Sequence, residues 1–356
     1  MNPTADQAID LLRHLISTPS PSREEDATAS IIYDWLSEKG AEPRRFLNNV
    51  WAFAGKYDVA KPTLMLNSHH DTVRPSASYT RDPYNPTIEG DRLYGLGSND
   101  AGAALVSLAT AFLNLRNESL PFNLMLALTA SEENMAPEGM RAFLPEMQRQ
   151  GIKIDMALVG EPTGMAPAVA ERGLLVLDGV ARGVAGHAAR NEGVNAIYKA
   201  IEAINTLRAF SPEKVSDILG PIKISVTQIE AGYQHNVVPD ICKFVVDVRT
   251  TDAYTNEETA SMLAAISGCE LTARSTRVHA SVIADTHPLV VAAKKLGRET
   301  FVSPTTSDMA LMHDIPSLKI GPGESKRSHS ADEYVLLSEI REAIPEYITM
   351  IKSINL

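Results

Sequence analysis

Cysteine is nearly missing from this chain: Cys242 and Cys269 are the only two in 356 residues. Both fall in segments that read as strands. A disulfide framework is thereby excluded, and any metal site is left to nitrogen and oxygen ligands. Long apolar runs are lacking as well. None approaches the roughly 18 residues that a membrane span needs, and the opening MNPTADQAIDLL has no basic, apolar or cleavage region of a signal peptide. The expected location is therefore the cytoplasm. Positive charge is in short supply, with 33 Lys and Arg against 44 Asp and Glu and a net charge of −11, which argues against a non-specific nucleic-acid binder and against a polybasic membrane surface. No helical His-Glu-x-x-His occurs, so a single-metal peptidase of that type is excluded. No internal repeat or low-complexity tract is present. What remains is an ordinary globular composition, 44% hydrophobic and 22% charged, on a chain long enough to expect two domains.

The organisation is readable from periodicity. Thr4 with Gln7, and Ser22 with Glu25, have the spacing of capping boxes, each followed by apolar residues at helical intervals, and Gly40 closes the second helix. Strands and helices then alternate: TLMLNS, AGAALVSLATAFLNLR, FNLMLALTA, EGMRAFLPEMQRQ, MALVG. That order predicts an α/β fold, a mixed and largely parallel sheet with helices on both faces. After about residue 170 the rhythm becomes LLVLDGVARG, VNAIYKAIEAINTLRAF, IKISVTQIE, ICKFVVDVRT, NEETASMLAAIS and CELTARSTRVHAS. This is a ferredoxin-like β-α-β-β-α-β unit, read as an inserted domain over residues 171–282. Residues 1–170 and 283–356 form the other domain, completed by SLKIG and a closing helix from about Leu336.

The stretch TLMLNSHHDTV poses the functional question, because a core strand that ends in His69, His70 and Asp71 exposes groups that packing alone does not need. An isolated His-x-Asp at a strand exit is unremarkable. Other strands, however, exit into Glu132 and Glu133 and into Glu161. In open α/β sheets the site lies beyond the carboxyl ends of the strands, so these groups should converge. Asp100, after the glycine-rich GLGSND, alone reads as a helix cap, and His329, in GPGESKRSHSADEY, alone reads as a loop histidine. Taken together, histidines and carboxylates without cysteine suit a divalent metal, zinc before others. There are too many for one ion. Two ions sharing a carboxylate and a water use them all.

SHHDTV, GLGSNDAG, SEEN, GEPT, GHAAR and SHSADE, in that order, resemble the dinuclear zinc deacylases and exopeptidases that include acetylornithine deacetylase, succinyl-diaminopimelate desuccinylase, aminoacylase and a glutamate carboxypeptidase. The resemblance covers essentially the whole chain. It implies that His69 and Glu161 hold one ion, that Glu133 and His329 hold the other, and that Asp100 bridges them. The ions are expected to be Zn²⁺, with Co²⁺ able to substitute. It further implies that Asp71 orients His69 from behind, that Glu132 is the general base, and that His70, at a variable position of the motif, is structural. His187 is implied to reach the active site of a partner subunit in a homodimer, which makes the insert a lid and dimerisation domain. Asn236 and Arg249 match substrate-contacting positions; Arg172 and Thr306 complete the candidate contacts. The segment SPTTSDMAL, with Thr306, Ser307 and Asp308, departs from the glycine-rich turn of the family. The implied activity is hydrolysis of an N-acyl-L-amino acid, nearest to acetylornithine deacetylation in arginine biosynthesis. Desuccinylation of diaminopimelate, deacetylation of acetylcitrulline or acetyl-lysine, and dipeptide cleavage are the alternatives.

Overall fold

Alternate residues along two neighbouring strands set up the first unit. In Thr63–His69, Leu64 and Leu66 enter one apolar cluster and Met65 the other; in Asn123–Thr129, Leu124, Leu126 and Leu128 side with the first and Met125 and Ala127 with the second. A strand buried on both faces needs helices on both. Ala5–Ile16, Asp26–Glu38, Ala103–Leu115 and Leu337–Lys352 cover one face, and Met140–Arg149 covers the other. Ala103–Leu115 is buried almost all round, which its run of Ala, Leu and Val permits. The computed structural model describes residues 3–190 and 192–356. Among them no helix is long and apolar enough to cross a membrane.

The sheet runs Arg44–Phe46, Asn49–Phe53, Asn123–Thr129, Thr63–His69, Met156–Val159, Ser317–Lys319 and then Ala168 of Ala168–Glu171. Its four middle members are parallel and its flanks antiparallel, the mixed arrangement expected. The first unit comprises the chain up to Val169, Ile283–Phe301 and Ser307–Leu356; the second comprises Ala170–Val282 and Val302–Thr306.

Within the second unit, Gly173–Arg182, Ala196–Ala209, Lys223–Ala231, Ile241–Thr250, Asn256–Ser267 and Glu270–Ala273 follow the β-α-β-β-α-β order. The antiparallel sheet is ordered with Ile241–Thr250 and Gly173–Arg182 at its centre. Alternate residues Leu175, Leu177 and Ala181 pack on the helices through Ala200, Ala203, Leu207 and Leu263. Ala170 and Val282 pair where the chain enters and leaves.

Three features differ from the sequence reading. The Thr4 capping box forms, but Ser22 caps nothing: helix Asp26–Glu38 begins later, Pro21 bridges to Thr72, and the Ser22 hydroxyl donates to Asp71. The last strand is short, Glu270–Ala273: beyond it the Asn256 amide donates to the carbonyls of Thr276 and Val278, at 3.0 and 2.8 Å, and Val278 rejoins the neighbouring strand only as an isolated bridge to Leu174. The hairpin Arg44–Phe53 and a three-stranded sheet of Thr87–Glu89, Arg92–Tyr94 and Tyr334–Leu336 were not foreseen. Their strands are too short to show a period. Cys242 and Cys269 are both free thiols.

Candidate metal centre

Register carries the candidate residues to one level. His69 pairs with Thr129, Asn67 with Val159, and Val159 with Lys319, so four parallel strands end side by side and release their following residues together. Ser131 and His329 adopt left-handed backbone, with φ of 57° and 55°, which turns the chain sharply at both sites. Asp100 sits after Gly97, whose φ is 75° and where a Cβ would lie 2.6 Å from Thr72 Cγ2. At Gly102 a Cβ would lie 2.4 Å from the Gly97 carbonyl oxygen. The glycines of GLGSNDAG are thus required by close approach and by backbone conformation.

The resulting constellation has two halves. His69 Nε2 lies 3.4 Å from Asp100 Oδ1, 3.7 Å from Glu161 Oε1 and 3.9 Å from Glu132 Oε2. His329 Nε2 lies 3.6 Å from Asp100 Oδ2 and 2.9 Å from Glu133 Oε2. Each oxygen of Asp100 therefore faces a different histidine. His69 is 1% exposed, and among the described residues its Nε2 has no hydrogen-bond partner; leaving such an atom unsatisfied is costly. The distances to Asp100 and Glu161 are too long for good hydrogen bonds. They approach the ~3.3 Å that separates two ligand atoms of tetrahedral zinc with bonds near 2.0–2.1 Å. The donor set fits a divalent ion. On the other half, His329 and Glu133 have closed to hydrogen-bond length.

Around these groups lies a second layer of buried carboxylates. Asp71 accepts from the Ser22 hydroxyl at 2.7 Å and from the backbone N–H groups of Glu132 and Glu133 at 3.0 and 3.2 Å. His69 Nδ1 lies 3.0 Å from the Asp71 carbonyl and 3.4 Å from its carboxylate, so the backbone makes the shorter contact that fixes the ring. His70 has both nitrogens engaged, with Thr28 Oγ1 and the Asn48 carbonyl each 2.9 Å away, and burial holds its pKa down. Glu25, read from sequence as part of a helix cap, instead accepts from the Ser131 hydroxyl at 2.8 Å and from Asn48 at 3.0 Å. Glu333 accepts three backbone N–H groups of the turn that carries Asp100. Asp308 is buried, with Thr129 donating to Oδ2 at 2.8 Å and Oδ1 without a hydrogen-bond partner among the described residues. The roles of Glu25, Glu333 and Asp308 were missed. The available signal was an acid beside or within a motif, and Glu25 had a competing local explanation.

Electrostatics record the crowding. Burial, reinforced by the carboxylates of Glu161, Asp308 and Glu133, raises Glu132 well above the ordinary range against the opposing pull of His69. Burial likewise pushes Glu161 up to about 8 and Asp308 up to about 6. For Glu333 burial and the Asp100 charge outweigh the three donors, giving about 8. The hydrogen bond to the Glu133 carboxylate pushes His329 up to about 9. For His69, burial pulls down, but Asp100, Asp71, Glu132 and Glu161 together raise it well above its usual value. The carboxylates outnumber the histidines, and protons take up charge that a cation would otherwise balance.

In the second unit, His187 pairs with Val237 and the Ala188 N–H donates to the Asn236 carbonyl at 3.1 Å, so His187 and Asn236 come together, both exposed. The Ala189 N–H donates to His187 Nδ1 at 3.2 Å, which puts the ring proton on Nε2. Arg249 is paired bidentately with Asp247, at 2.8 and 3.1 Å. An incoming carboxylate therefore has to compete with Asp247. Arg172 donates to the carbonyls of Pro221, at 2.9 Å, and Leu219. Thr306 is half-buried at the end of Val302–Thr306.

The family model described as peptidase family M20/M25/M40 matches residues 65–353. A succinyl-diaminopimelate desuccinylase of Dinoroseobacter shibae is 29% identical over 97% of this chain and 98% of its own length. The aminopeptidase PepT of Bacillus cereus superposes with a TM-score of 0.75 at 18% identity, covering 99% of both chains. A Bacillus subtilis protein described as a dinuclear metal binding peptidase gives 0.74 at 18% identity, covering 98% of this chain and 97% of its own.

Proposed function

The chain belongs to peptidase family M20/M25/M40 and is a metallo-hydrolase, and from that premise we propose that it cleaves the amide bond of an N-acyl-L-amino acid, with N-succinyl-diaminopimelate the first substrate and N-acetylornithine the second. The observation that carries the chemistry is Asp100, one oxygen toward His69 Nε2 at 3.4 Å and the other toward His329 Nε2 at 3.6 Å. On this reading His69, Glu161 and Asp100 would hold one divalent ion, and Glu133, His329 and Asp100 would hold the other, zinc being the expected metal. Bound ions would lower the pKa of an attacking water and polarise the scissile carbonyl. Glu132, its backbone fixed by Asp71 and its carboxylate without a hydrogen bond among the described residues, takes the proton from that water and returns it to the departing amine. Asp71 holds the Glu132–Glu133 turn and backs His69.

The substrate order reverses the expectation from sequence motifs, and the desuccinylase relatives favour it. A panel of N-succinyl and N-acetyl amino acids, with dipeptides included and zinc present, tests it. Succinyl-diaminopimelate should exceed acetylornithine in kcat/KM by about tenfold or more, the worth of an additional charge-assisted hydrogen bond. A dipeptide turned over faster than every acyl amino acid would sink this choice.

We place the working protein in the cytoplasm as a homodimer in which His187 completes the partner's site, its Nε2–H suiting it to stabilise an oxyanion. Glu132→Gln and His187→Ala homodimers, each nearly inactive, should regain activity when dissociated, mixed equally and reassembled. Half the dimers are then mixed and each has one intact site, so about a quarter of native activity returns under two-fold symmetry. No recovery from dimers shown to be mixed refutes the shared site and leaves the metal chemistry standing.

A further inference from the structure

The turn that presents Asp100 is held only in part by its own backbone, where the Gly102 N–H donates to the Gly97 carbonyl at 3.0 Å. Its helical hydrogen bonding is interrupted where Asp100 and Ala101 leave helical backbone, Asp100 at φ −115° and ψ 99°. Three N–H groups at the start of the turn converge on one side chain. Glu333 Oε2 accepts from Gly97 at 3.1 Å, and Oε1 accepts from Asn99 at 2.8 Å and from Asp100 itself at 2.9 Å. Glu333 is 2% exposed, so water offers these donors no substitute. A second tie runs to the same stretch of chain: the Asn99 amide donates to the Glu324 carbonyl at 3.1 Å and to Ser328 Oγ at 3.2 Å, and its oxygen accepts from Glu324 N–H at 3.0 Å. His329 lies between these anchors. The segment that supplies one histidine thus also grips the turn that supplies the carboxylate facing it.

We propose that Glu333 is the positioning residue of Asp100, fixing the bridging carboxylate relative to His329 by holding the backbone of Gly97–Asp100. It touches no substrate and no ion. The inference rests on the two-ion reading above, and through it on Asp100 serving both halves of the centre. Loosening the turn should therefore weaken both ions, whereas losing a terminal ligand weakens one.

Zinc affinity of the full-length protein, measured by competition with a chromophoric chelator, tests this without reference to turnover. Wild type measured alongside must bind two equivalents; if it does not, the two-ion reading fails, whatever Glu333 does. Glu333→Gln puts an amide donor among backbone donors and should weaken zinc about 10–100-fold, with the circular dichroism spectrum retained. Amide exchange at Gly97, Asn99 and Asp100 should accelerate in the metal-free variant. Asp332→Asn, one residue away, removes an acid that holds the Thr80 and Arg81 backbone instead and should leave zinc affinity unchanged. Should Glu333→Gln fail to fold, Glu333→Asp carries the test, since it keeps the carboxylate on a shorter stem and should show a smaller loss. A folded Glu333 variant with wild-type zinc affinity, or equal losses in Asp332→Asn, overturns the proposal.

Discussion

Glu132→Gln is expected to lower kcat by about 10²–10⁴-fold, the contribution of one general acid–base group, while both zinc ions stay bound. Glu133→Gln, one residue on, is expected to lose metal. The two glutamates share a turn but not an environment. Asp71 accepts the N–H of each, so the backbone at both positions is fixed and neither substitution disturbs it. Glu133 Oε2 is committed to His329 at 2.9 Å, as a group that shares an ion with that histidine would be. Glu132 approaches His69 Nε2 only to 3.9 Å, and among the described residues its carboxylate makes no hydrogen bond. A glutamine there keeps shape and loses only the capacity to take a proton, so KM should change far less than kcat. Elemental analysis of both variants beside steady-state kinetics separates the roles. Equal metal loss in the two variants would show the assignment to be wrong, because Glu132 would then be a ligand.

How much of this was legible in sequence depended on whether a residue's role was local. Strand Thr63–His69 and helix Ala103–Leu115 announce themselves because their own periodicity and length decide them. The convergence of His69, Asp100, Glu133, Glu161 and His329 was also within reach, since parallel strands must end together and each of these follows a strand or a glycine turn. Positions that are explained only by distant partners were not. Ser22 and Glu25 have the spacing of a capping box, yet the pairing of Pro21 with Thr72 takes that segment to Asp71 and Ser131 instead. Glu333 sits inside a motif that was noticed for His329, and nothing local reveals that its carboxylate reaches the turn of Gly97–Asp100. Arg249 matches a substrate-contacting position, and its pairing with Asp247 on the same strand is a contact that the motif does not announce.

Exhaustive chelation should abolish activity completely, and Zn²⁺ or Co²⁺ should restore it. The argument is one of charge. Asp71, Asp100, Glu132, Glu133, Glu161 and Asp308 crowd the buried His69 and the exposed His329, and without cations the balance is met by protons. Glu161 at about 8 and His329 at about 9 hold protons at neutral pH in the metal-free protein. The direction of the pH effect follows. A ligand whose metal-free pKa is raised must release its proton before it can bind an ion, so zinc affinity falls as the pH drops below those values and rises toward them, by about tenfold per pH unit for each proton displaced. Calorimetry at neutral pH in buffers of different ionisation enthalpy should therefore detect proton release on zinc binding. Metal should also stabilise the fold, by about 4 kcal/mol when free zinc stands a thousandfold above its dissociation constant, read as a rise in Tm. A fully active protein holding less than one equivalent of metal would falsify the dinuclear centre.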